Sequence, residues 1–275
     1  MRIGIDLGGA TVKMGIVDSG QILKKIVEPC KVDKSEEETL DHIKRMLSRI
    51  MNTNIRGIGI GVPSVVDSMK GIVYNAVNIP SWKEVHLKDI LEREFGVPVE
   101  VNNDCNCFAF GERYYGEGTP FRNIVCVILG AGVGAGIIVE DRLYYGHNTG
   151  AGEIGSLPYL QHDYERYCSN HFFIHEYKTT ALEAYERAAH KDKKALKMWE
   201  NMGSHIGALM NAIMFTYDPE AIILGGGISK AYDLFSPKMY ETMAKFPYPN
   251  TVERLTVRLS RREDIGLLGA SALVR

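Results

Sequence analysis

The sequence predicts an α/β protein built from two related lobes, and three observations lead to this fold class. Its 275 residues exceed what one ordinary core requires and fit either one large α/β unit or two lobes. The chain begins with short strands, glycine turns and an amphipathic helix. A pattern of strand, glycine turn and strand then recurs near the middle, because residues 5–18 align with residues 127–140. Two such lobes would leave a cleft.

The first part of the chain is predicted to be a β-meander followed by a helix. Strong turn signals, which contain glycine, separate three short alternating segments. Ser35 and Glu38 form a capping box, and apolar residues at helical spacing then predict a helix over 36–51. The other predicted elements of this part are strands over 2–6, 12–17, 21–27, 55–60 and 97–101 and a helix over 105–115.

The second part of the chain repeats the opening pattern and then becomes helical. The repeat indicates that each lobe begins with a meander whose first turn is rich in glycine. A chance likeness of two β-hairpins is the alternative interpretation. The predicted elements that follow are helices near 178–190, 193–200 and 203–217, a buried strand over 221–224 and a terminal helix over 264–274.

The composition argues against several classes of protein. Hydrophobic residues make up 45% and charged residues 24% of the chain, which is typical of a soluble globular protein. A net charge of -2 without a dense run of Lys or Arg argues against nucleic acid as a partner. We expect no leader before the first predicted strand, and no apolar stretch approaches the roughly 18 residues of a membrane span. A cytoplasmic protein without membrane contact is expected, and an odd number of cysteines, five, indicates free thiols.

Three glycine-rich turns directly follow predicted strands. Missing side chains allow backbone N–H groups to approach phosphate oxygens closely, although each turn alone has the simpler interpretation of a plain turn. Asp6, beside the first turn, suits Mg²⁺ binding through water. The sequence contains no Walker-type loop and no G-x-G-x-x-G that opens a helix, which argues against P-loop and dinucleotide-binding proteins. The turns are Gly8-Gly9, Gly130-Ala131-Gly132-Val133-Gly134 and Gly225-Gly226-Gly227.

Several motifs, spread almost from end to end, carry a family resemblance. They are Asp6-Leu7-Gly8-Gly9, Asn102-Asn103-Asp104-Cys105-Asn106, the turn at 130–134, Gly152-Glu153-Ile154-Gly155, Gly225-Gly226-Gly227-Ile228-Ser229 and Gly269-Ala270. Together they resemble the ROK family of bacterial sugar kinases and repressors. The resemblance implies the two-lobed ribonuclease-H-like fold of actin-like ATPases, with a central cleft, ATP between the lobes and sugar deep in the cleft. It also implies a first lobe of residues 1–117 completed by a returning helix at 261–275, a larger lobe of residues 118–260, and a homodimer.

The resemblance assigns Asp104 as the catalytic base, which takes the proton of the attacking sugar hydroxyl. The pattern of residues places Asp104 at a helix N-cap, where the helix dipole favours its charged form; a plain capping aspartate is the alternative. Asn78 likewise has a turn-shaping role as its alternative. The sugar-binding residues implied are Asn103, Asp104, Glu153, Glu176 and Asn78. The residues implied for ATP and Mg²⁺ are Asp6, Gly8, Gly9, Thr11, Lys13, Gly130, Ala131, Gly132, Gly134, Gly225, Gly226 and Gly227.

The chain departs from the family pattern at the sugar side and in the phosphate loops. Ser156 stands where several members carry a histidine that contacts sugar. Ala10 and Ala131 replace hydroxyl residues of the phosphate loops, and turnover is expected to be slow if neither loss is compensated. Over 167–176 the cysteines of the family's zinc loop are not kept, so that zinc site is expected to be absent. A different metal site, formed by Cys168, His162, His171 and His175, stays open as an alternative.

The resulting prediction is an ATP-dependent kinase that phosphorylates a hexose hydroxyl. Glucose, phosphorylated at its 6-hydroxyl, is the default that the resemblance implies; mannose, fructose, N-acetylglucosamine and N-acetylmannosamine are alternatives. A sugar-sensing regulator is the second interpretation, but family repressors carry an N-terminal DNA-binding module, for which we expect no room before Arg2. An ATP-driven structural or chaperone-like protein of the same fold is the third, and it would not need Asn103, Asp104 and Glu153 together.

Overall fold

The computed structural model describes residues 1–8, 11–30, 34–76, 79–147 and 149–274, which form an α/β fold. The strands are β1 Arg2–Leu7, β2 Thr11–Asp18, β3 Gln21–Pro29, β4 Ile58–Val62, β5 Val65–Asp67, β6 Ile72–Tyr74, β7 Glu84–Val85, β8 Val99–Asn103, β9 Ile124–Leu129, β10 Val133–Val139, β11 Arg142–Tyr144, β12 Pro158–Tyr159, β13 His162–Asp163, β14 Ala221–Gly225 and β15 Thr256–Leu259. The α-helices are α1 Glu36–Ser48, α2 Leu87–Phe95, α3 Asp104–Tyr115, α4 Tyr164–Cys168, α5 Asn170–Tyr177, α6 Ala181–Ala189, α7 Lys193–Tyr217, α8 Tyr232–Met243, α9 Pro249–Arg254 and α10 Ile265–Leu273. Short 3₁₀ helices cover Ile154–Ser156 and Ile228–Ala231. Within the described part of the chain, none of the helices combines the length and apolar composition that crossing a bilayer requires.

Two compact units make up the chain. The first comprises residues 1–120, 136–151 and 261–275, and the second comprises residues 121–135 and 152–260. The sheet of the first unit has the strand order β3-β2-β1-β4-β8. Its first three strands pair antiparallel, whereas β4 pairs parallel with both β1 and β8. The β-meander predicted at the start of the chain is therefore confirmed.

The register of the parallel strands brings three chain segments to one edge of this sheet. Asp6 in β1 lies opposite Gly61 in β4, and Gly61 lies opposite Asn102 in β8. Parallel neighbours end at the same edge, and in open α/β sheets ligands bind outside the carboxyl ends of the strands. The first turn of α3, which follows β8 directly, starts at this edge.

Helix α10 packs directly on the same sheet. A Cβ atom added at Gly59 would lie 1.7 Å from the carbonyl oxygen of Ala270, and one added at Gly4 would lie 2.1 Å from that of Leu267. The missing side chains therefore let the backbone of the helix contact the strands. This packing explains why the end of the chain belongs to the first unit.

Helix α1 begins where the sequence predicts and ends slightly earlier. The Ser35 hydroxyl accepts from the Glu38 N–H at 3.2 Å, and the Glu38 carboxylate accepts from the Ser35 N–H at 3.1 Å. The predicted capping box is thus confirmed. The helix ends at Ser48 rather than at residue 51, because the next residues form tighter bonds of the 3₁₀ type, such as Ile50 N–H to the Leu47 carbonyl.

The other five-stranded sheet has the order β11-β10-β9-β14-β15. Strand β14 pairs parallel with β9 and with β15, and Gly225 at its end lies opposite Ile128. Strands β9 and β10 occupy the positions that the internal repeat predicts, and they are neighbours in the sheet as β1 and β2 are. The glycine turns after β9 and β14 consequently begin side by side.

One continuous helix, α7, replaces two predicted helices. The sequence predicts a break between residues 200 and 203, and this prediction is wrong because α7 runs through Gly203. A Cβ atom at Gly203 would lie 2.2 Å from the Phe235 carbonyl oxygen, and one at Gly207 would lie 2.6 Å from that of Met239. Close packing of α7 on α8 therefore outweighs the low helix propensity of glycine.

Candidate active site

Asp104, the candidate catalytic carboxylate, lies at the carboxyl edge of the first unit's sheet. It is the first residue of α3. A Cβ atom at Gly61, on the adjacent strand β4, would lie 3.1 Å from the Cys107 sulfur and 3.5 Å from the Asp104 Cα. Glycine at position 61 therefore leaves space for the first turn of α3 against the strand.

Asn103, rather than Asp104, is the N-cap of α3. Its Oδ1 accepts from the backbone N–H groups of Cys105 at 2.8 Å and Asn106 at 3.3 Å, and its Nδ2 donates to the Ser64 carbonyl at 3.2 Å. The prediction that Asp104 caps the helix is wrong, because the preceding asparagine already satisfies these N–H groups. Asp104 lies one position inside the helix, where its Oδ1 accepts from the Cys105 N–H at 2.9 Å.

The environment of Asp104 makes its carboxyl a weaker acid than usual. Burial raises its pKa from 3.8 to about 6, and the Asp6 carboxylate acts in the same direction. The hydrogen bond from Cys105 opposes this shift. Burial therefore outweighs the helix dipole, which the sequence predicts to favour the charged form. With a pKa of about 6, the carboxyl group of Asp104 is mostly ionised at neutral pH. The pKa is also close enough to that pH for the group to accept a proton, as a general base must.

Asp6 is the second acidic group at this edge. Burial raises its pKa, whereas the ammonium of Lys13, 3.6 Å from Oδ2, lowers it. Lys13 Nζ also lies 3.7 Å from Oδ1 of Asp264, directly before α10. The structure thus brings Asp6, Lys13, Asp104 and Asp264 together in the first unit. Sequence reasoning missed Asp264, because its pairing with Lys13 depends on the return of α10 to the sheet.

The carboxyl groups of Asp6 and Asp104 suit a magnesium ion chemically. Mg²⁺ prefers oxygen ligands and usually keeps several of its waters. The charge of Asp6 raises the pKa of Asp104, so the edge carries excess negative charge that a divalent cation would neutralise. Asp6 is therefore fit to hold the ion through water, as the sequence predicts.

Glycine shapes the turn after β1 and the two turns of the second unit. The Gly8 N–H donates to the Thr11 carbonyl at 2.9 Å, and the Gly130 N–H donates to the Gly132 carbonyl at 3.0 Å. Gly226 has a φ of 86°, and a Cβ atom there would lie 2.3 Å from the Leu129 carbonyl oxygen. A larger residue cannot adopt this conformation so close to β9 without strain. The predicted residues Gly9 and Asn78, and Ala10 with them, lie outside the described residues.

One side chain already binds to the turn at 130–134. The Glu165 carboxylate accepts from the Val133 N–H at 3.1 Å. A Cβ atom at Gly132 would lie 2.5 Å from the same carboxylate. Glycine at position 132 therefore leaves room for the Glu165 carboxylate beside the turn, which the sequence does not indicate.

A cavity of about 500 Å³ lies beside the two glycine turns of the second unit. Apolar and aromatic side chains form most of its wall, and the exposed ring of Tyr185 is 43% accessible. Such a cavity suits a flat aromatic group, since ligand sites are mostly apolar with a few polar groups. The residues that line it are Gly130, Ala131, Asn170, Ala181, Leu182, Tyr185, Trp199, Gly227, Ile228, Lys230 and Ala231.

The two predicted sugar-binding carboxylates of the second unit have different surroundings. Glu153 is exposed and precedes the 3₁₀ helix that contains Ser156; neighbouring residues desolvate it enough to raise its pKa, and Glu165 adds to this. Glu176 accepts from Arg166 Nη2 at 2.8 Å. It also borders a separate cavity of about 380 Å³, whose other walls are Tyr167, Phe172, Tyr177, Asn201, Ser204 and His205.

The alternative metal residues gain no support from the structure. Cys168 is fully buried, and burial raises the pKa of its thiol, which disfavours the thiolate that a metal requires. The rings of His171 and His175 lie 5.9 Å apart. Over the ranges that the structure describes, no group of three or more His, Cys, Asp or Glu side chains is arranged to hold a metal ion.

A partly buried carboxylate at the edge of one mixed sheet, with glycine turns at the strand ends of both sheets, is the arrangement of the ribonuclease-H-like fold of actin-like ATPases. The fold class predicted from the sequence is confirmed by solved structures, among them a ROK family glucokinase from Streptomyces griseus in complex with glucose and AMPPNP. That structure has a TM-score of 0.84 at 26% identity and covers 99% of this chain and 98% of its own. This chain belongs to the ROK family, whose sequence profile matches residues 2–275.

Two curated relatives represent the enzymes and the regulators to which the chain is similar. A glucokinase of Thermotoga maritima is 27% identical over 99% of this chain and 96% of its own length. A xylose repressor of Caldicellulosiruptor bescii is 26% identical over 99% of this chain and 77% of its own length. The family that the sequence motifs predict is therefore confirmed.

Proposed function

We propose that this protein transfers the γ-phosphoryl group of ATP to a hexose hydroxyl, with the 6-hydroxyl of glucose as the first candidate. A carbohydrate kinase is borne out by the family match over residues 2–275 and by glucokinases that are similar along nearly the whole chain. The choice of glucose rests on those relatives, which are glucokinases 27% identical to this chain.

The observation that carries the proposal is the state of Asp104. A general base must be ionised at working pH and must have a pKa near that pH. Burial and the Asp6 charge raise the pKa of Asp104 to about 6, which meets both conditions. Asp104 accepts the proton of the sugar hydroxyl while the hydroxyl oxygen attacks the γ-phosphorus of ATP. The bond from that phosphorus to the ADP oxygen breaks. The products are the sugar phosphate and ADP.

The second unit supplies the nucleotide side of the proposed reaction. Backbone N–H groups of the turns at 130–134 and 225–227 bind phosphate oxygens, and the neighbouring apolar cavity takes the adenine ring. Asp6 would hold Mg²⁺ through water, and the ion, when bound, would neutralise charge that develops on the phosphoryl group. Lys13, which carries a positive charge beside Asp6, is likewise proposed to act on the nucleotide.

Amide and carboxylate side chains are the proposed contacts to the sugar. Asn103, Glu153 and Glu176 offer amide and carboxylate oxygens, which bind hydroxyl groups, and Asn78 is proposed with them. Ser156 is exposed next to Glu153 and stands in place of the histidine of several family members. The substrate panel therefore includes fructose, mannose, N-acetylglucosamine and N-acetylmannosamine, and a homodimer stays a prediction for size-exclusion chromatography.

An assay of ADP release tests the proposal. Wild-type protein is mixed with Mg·ATP and each sugar in turn, and we expect one hexose to stimulate ADP release well above the sugar-free rate. Asp104→Asn is expected to lower kcat by about 10² to 10⁴-fold, the usual contribution of general-base catalysis, while nucleotide affinity is kept. Sugar-independent ATP turnover, or an unchanged kcat in Asp104→Asn, contradicts the proposal.

A further inference from the structure

A chain of alternating charges leads from the surface of the first unit to Asp6. Lys25 in β3 places its Nζ 2.5 Å from Oδ2 of Asp264. The other oxygen of Asp264 lies 3.7 Å from Lys13 Nζ, and Lys13 Nζ lies 3.6 Å from Oδ2 of Asp6. The Asp264 side chain is only 11% exposed, so these interactions are partly shielded from water. The proposed function uses Asp6 and Lys13 but gives no role to Asp264.

We infer that Asp264 is a positioning residue: it shares Lys13 with Asp6 and thereby keeps the Asp6 carboxylate open to the magnesium that accompanies ATP. The inference rests on the proposed nucleotide site. Its basis is the near equality of the two Lys13 distances, 3.6 and 3.7 Å. Both distances exceed the length of a direct N–H···O hydrogen bond, which is about 2.7–3.2 Å. The ammonium group of Lys13 therefore lies between the two carboxylates without a close bond to either.

Loss of the Asp264 charge changes where Lys13 goes. Asp6 is then the charged carboxylate that remains beside Lys13. A direct ion pair between Lys13 and Asp6 competes with the magnesium ion for the same carboxylate oxygens. The start of α10 is close enough to matter, because a Cβ atom at Gly266 would lie 4.0 Å from the Asp6 Cγ. Removal of Asp264 therefore weakens metal binding at Asp6 without touching the metal.

The backbone at position 264 allows a clean test. Asp264 has a φ of 53°, in the left-handed region that Asp and Asn adopt more readily than other non-glycine residues. Asp264→Asn consequently removes the charge and keeps the local conformation. Thermal melting checks that the variant is folded.

Binding of the ATP analogue AMPPNP, with and without Mn²⁺, supplies a readout other than turnover. The ratio of the two affinities measures what the metal contributes. We expect this ratio to fall by about threefold to tenfold in Asp264→Asn, the effect of one lost charge interaction at a partly solvated site. In a Lys13→Met background the same substitution is expected to change the ratio less than twofold, roughly, because the competing ammonium is gone.

A matched control breaks an ion pair elsewhere in the chain that has the same length as the pair between Lys25 and Asp264. Lys238 Nζ lies 2.5 Å from Glu241 Oε2 in the second unit, and Glu241→Gln is expected to leave the ratio unchanged. An unchanged ratio in Asp264→Asn, or an equal fall with and without Lys13, overturns the inference, and so does wild-type binding that gains nothing from Mn²⁺. If no sugar is phosphorylated while the ratio still depends on Asp264, the proposed function fails and the inference stands.

Discussion

The Asp6 carboxylate, held at the end of β1, adds to the effect of burial on Asp104 at the start of α3 and raises the pKa of Asp104 to about 6. Strand β4 separates β1, which carries Asp6, from β8, which α3 follows directly, and Gly61 in β4 has no side chain to intervene. The protein therefore keeps an unfavourable charge at the residue that we propose as the base. Such a charge has a cost in stability that measurements can detect.

We expect Asp104→Asn to stabilise the protein, and to do so increasingly as pH rises. A carboxyl with a raised folded-state pKa binds its proton more tightly in the folded state than in the unfolded state. Its contribution to stability is full below the unfolded value of 3.8 and is lost as pH rises through about 6. The full loss corresponds to about 3 kcal/mol at ~1.36 kcal/mol per pKa unit. Urea unfolding of both proteins between pH 4 and 8, without divalent cations, measures the difference.

Asp18→Asn is the matched control for this experiment, since Asp18 is an exposed aspartate at the end of β2. We expect the free energy of unfolding of this variant to stay within about 0.5 kcal/mol of the wild-type value, as for most surface substitutions. A stability difference for Asp104→Asn that shrinks between pH 4 and pH 7 would contradict the assigned direction of the shift.

The same pKa predicts the acid limb of catalysis. The hexose that the enzyme phosphorylates is the substrate for this experiment, and kcat/KM then reports groups of the free enzyme. We expect kcat/KM to fall about tenfold per pH unit below the pKa of Asp104, which is about 6. The physical reason is that protonated Asp104 already carries the proton and is far too weak a base to take a second one from the sugar hydroxyl. A pH profile that stays flat down to pH 5, with the protein folded, would remove Asp104 from the role of base.

Asn103 has a structural role and a proposed sugar-binding role, which two substitutions separate. Serine at an N-cap keeps the bond to the helix N–H groups, whereas alanine removes it at a cost of about 1 kcal/mol. We therefore expect Asn103→Ala to lower both stability and sugar affinity. Asn103→Ser is expected to keep stability within about 0.5 kcal/mol and still raise the KM for sugar, because the amide is lost.

Urea unfolding and sugar kinetics on both variants give the answer. A serine variant with wild-type KM would show that Asn103 acts as a cap alone. An unchanged stability of Asn103→Ala would instead contradict the observed hydrogen bonds from Cys105 and Asn106.

Local patterns were sufficient to predict much of the first unit. The meander depends on turn residues and alternation, and the capping box of α1 depends on two residues three positions apart, so both can be found without tertiary information. The family motifs located Asp104 and the glycine turns. The sequence predicts the N-cap one residue too late, because either Asn103 or Asp104 can cap a helix and the strand ends only at Asn103.

Features that depend on distant packing were not predictable in this way. Glycine at 203 has the local preference of a helix breaker, and only the contact with Phe235 explains why it lies inside α7. Asp264 gives no local sign of pairing with Lys13, which is far away in the sequence. The pKa of Asp104 likewise depends on burial, which no short motif records.

Tyr185 offers a test of the cavity proposed for adenine. Its ring lines the cavity of about 500 Å³ and is 43% exposed, so its truncation removes little from the core. We expect Tyr185→Ala to raise the KM for ATP by about twofold to tenfold, because one aromatic contact contributes about 0.5–1.5 kcal/mol, and to leave the KM for sugar unchanged. Tyr240→Ala, which removes a ring of the same exposure, is the control. Equal effects of the two substitutions on the KM for ATP would contradict an adenine site at this cavity.

Gly59 tests the packing of α10 on the sheet that carries Asp6 and Asp104. A Cβ atom at this position would lie 1.7 Å from the Ala270 carbonyl oxygen, and a backbone oxygen inside a helix cannot move aside as a flexible side chain can. We expect Gly59→Ala to destabilise the protein by about 3 kcal/mol or more, because either α10 or β4 must shift. Gly150→Ala is the matched control in the same unit, since a Cβ atom there meets nothing within 4 Å and the residue is exposed. Urea unfolding is expected to place the control within about 0.5 kcal/mol of wild type. A Gly59→Ala variant as stable as the control would mean that α10 does not contact β4 as closely as the structure shows.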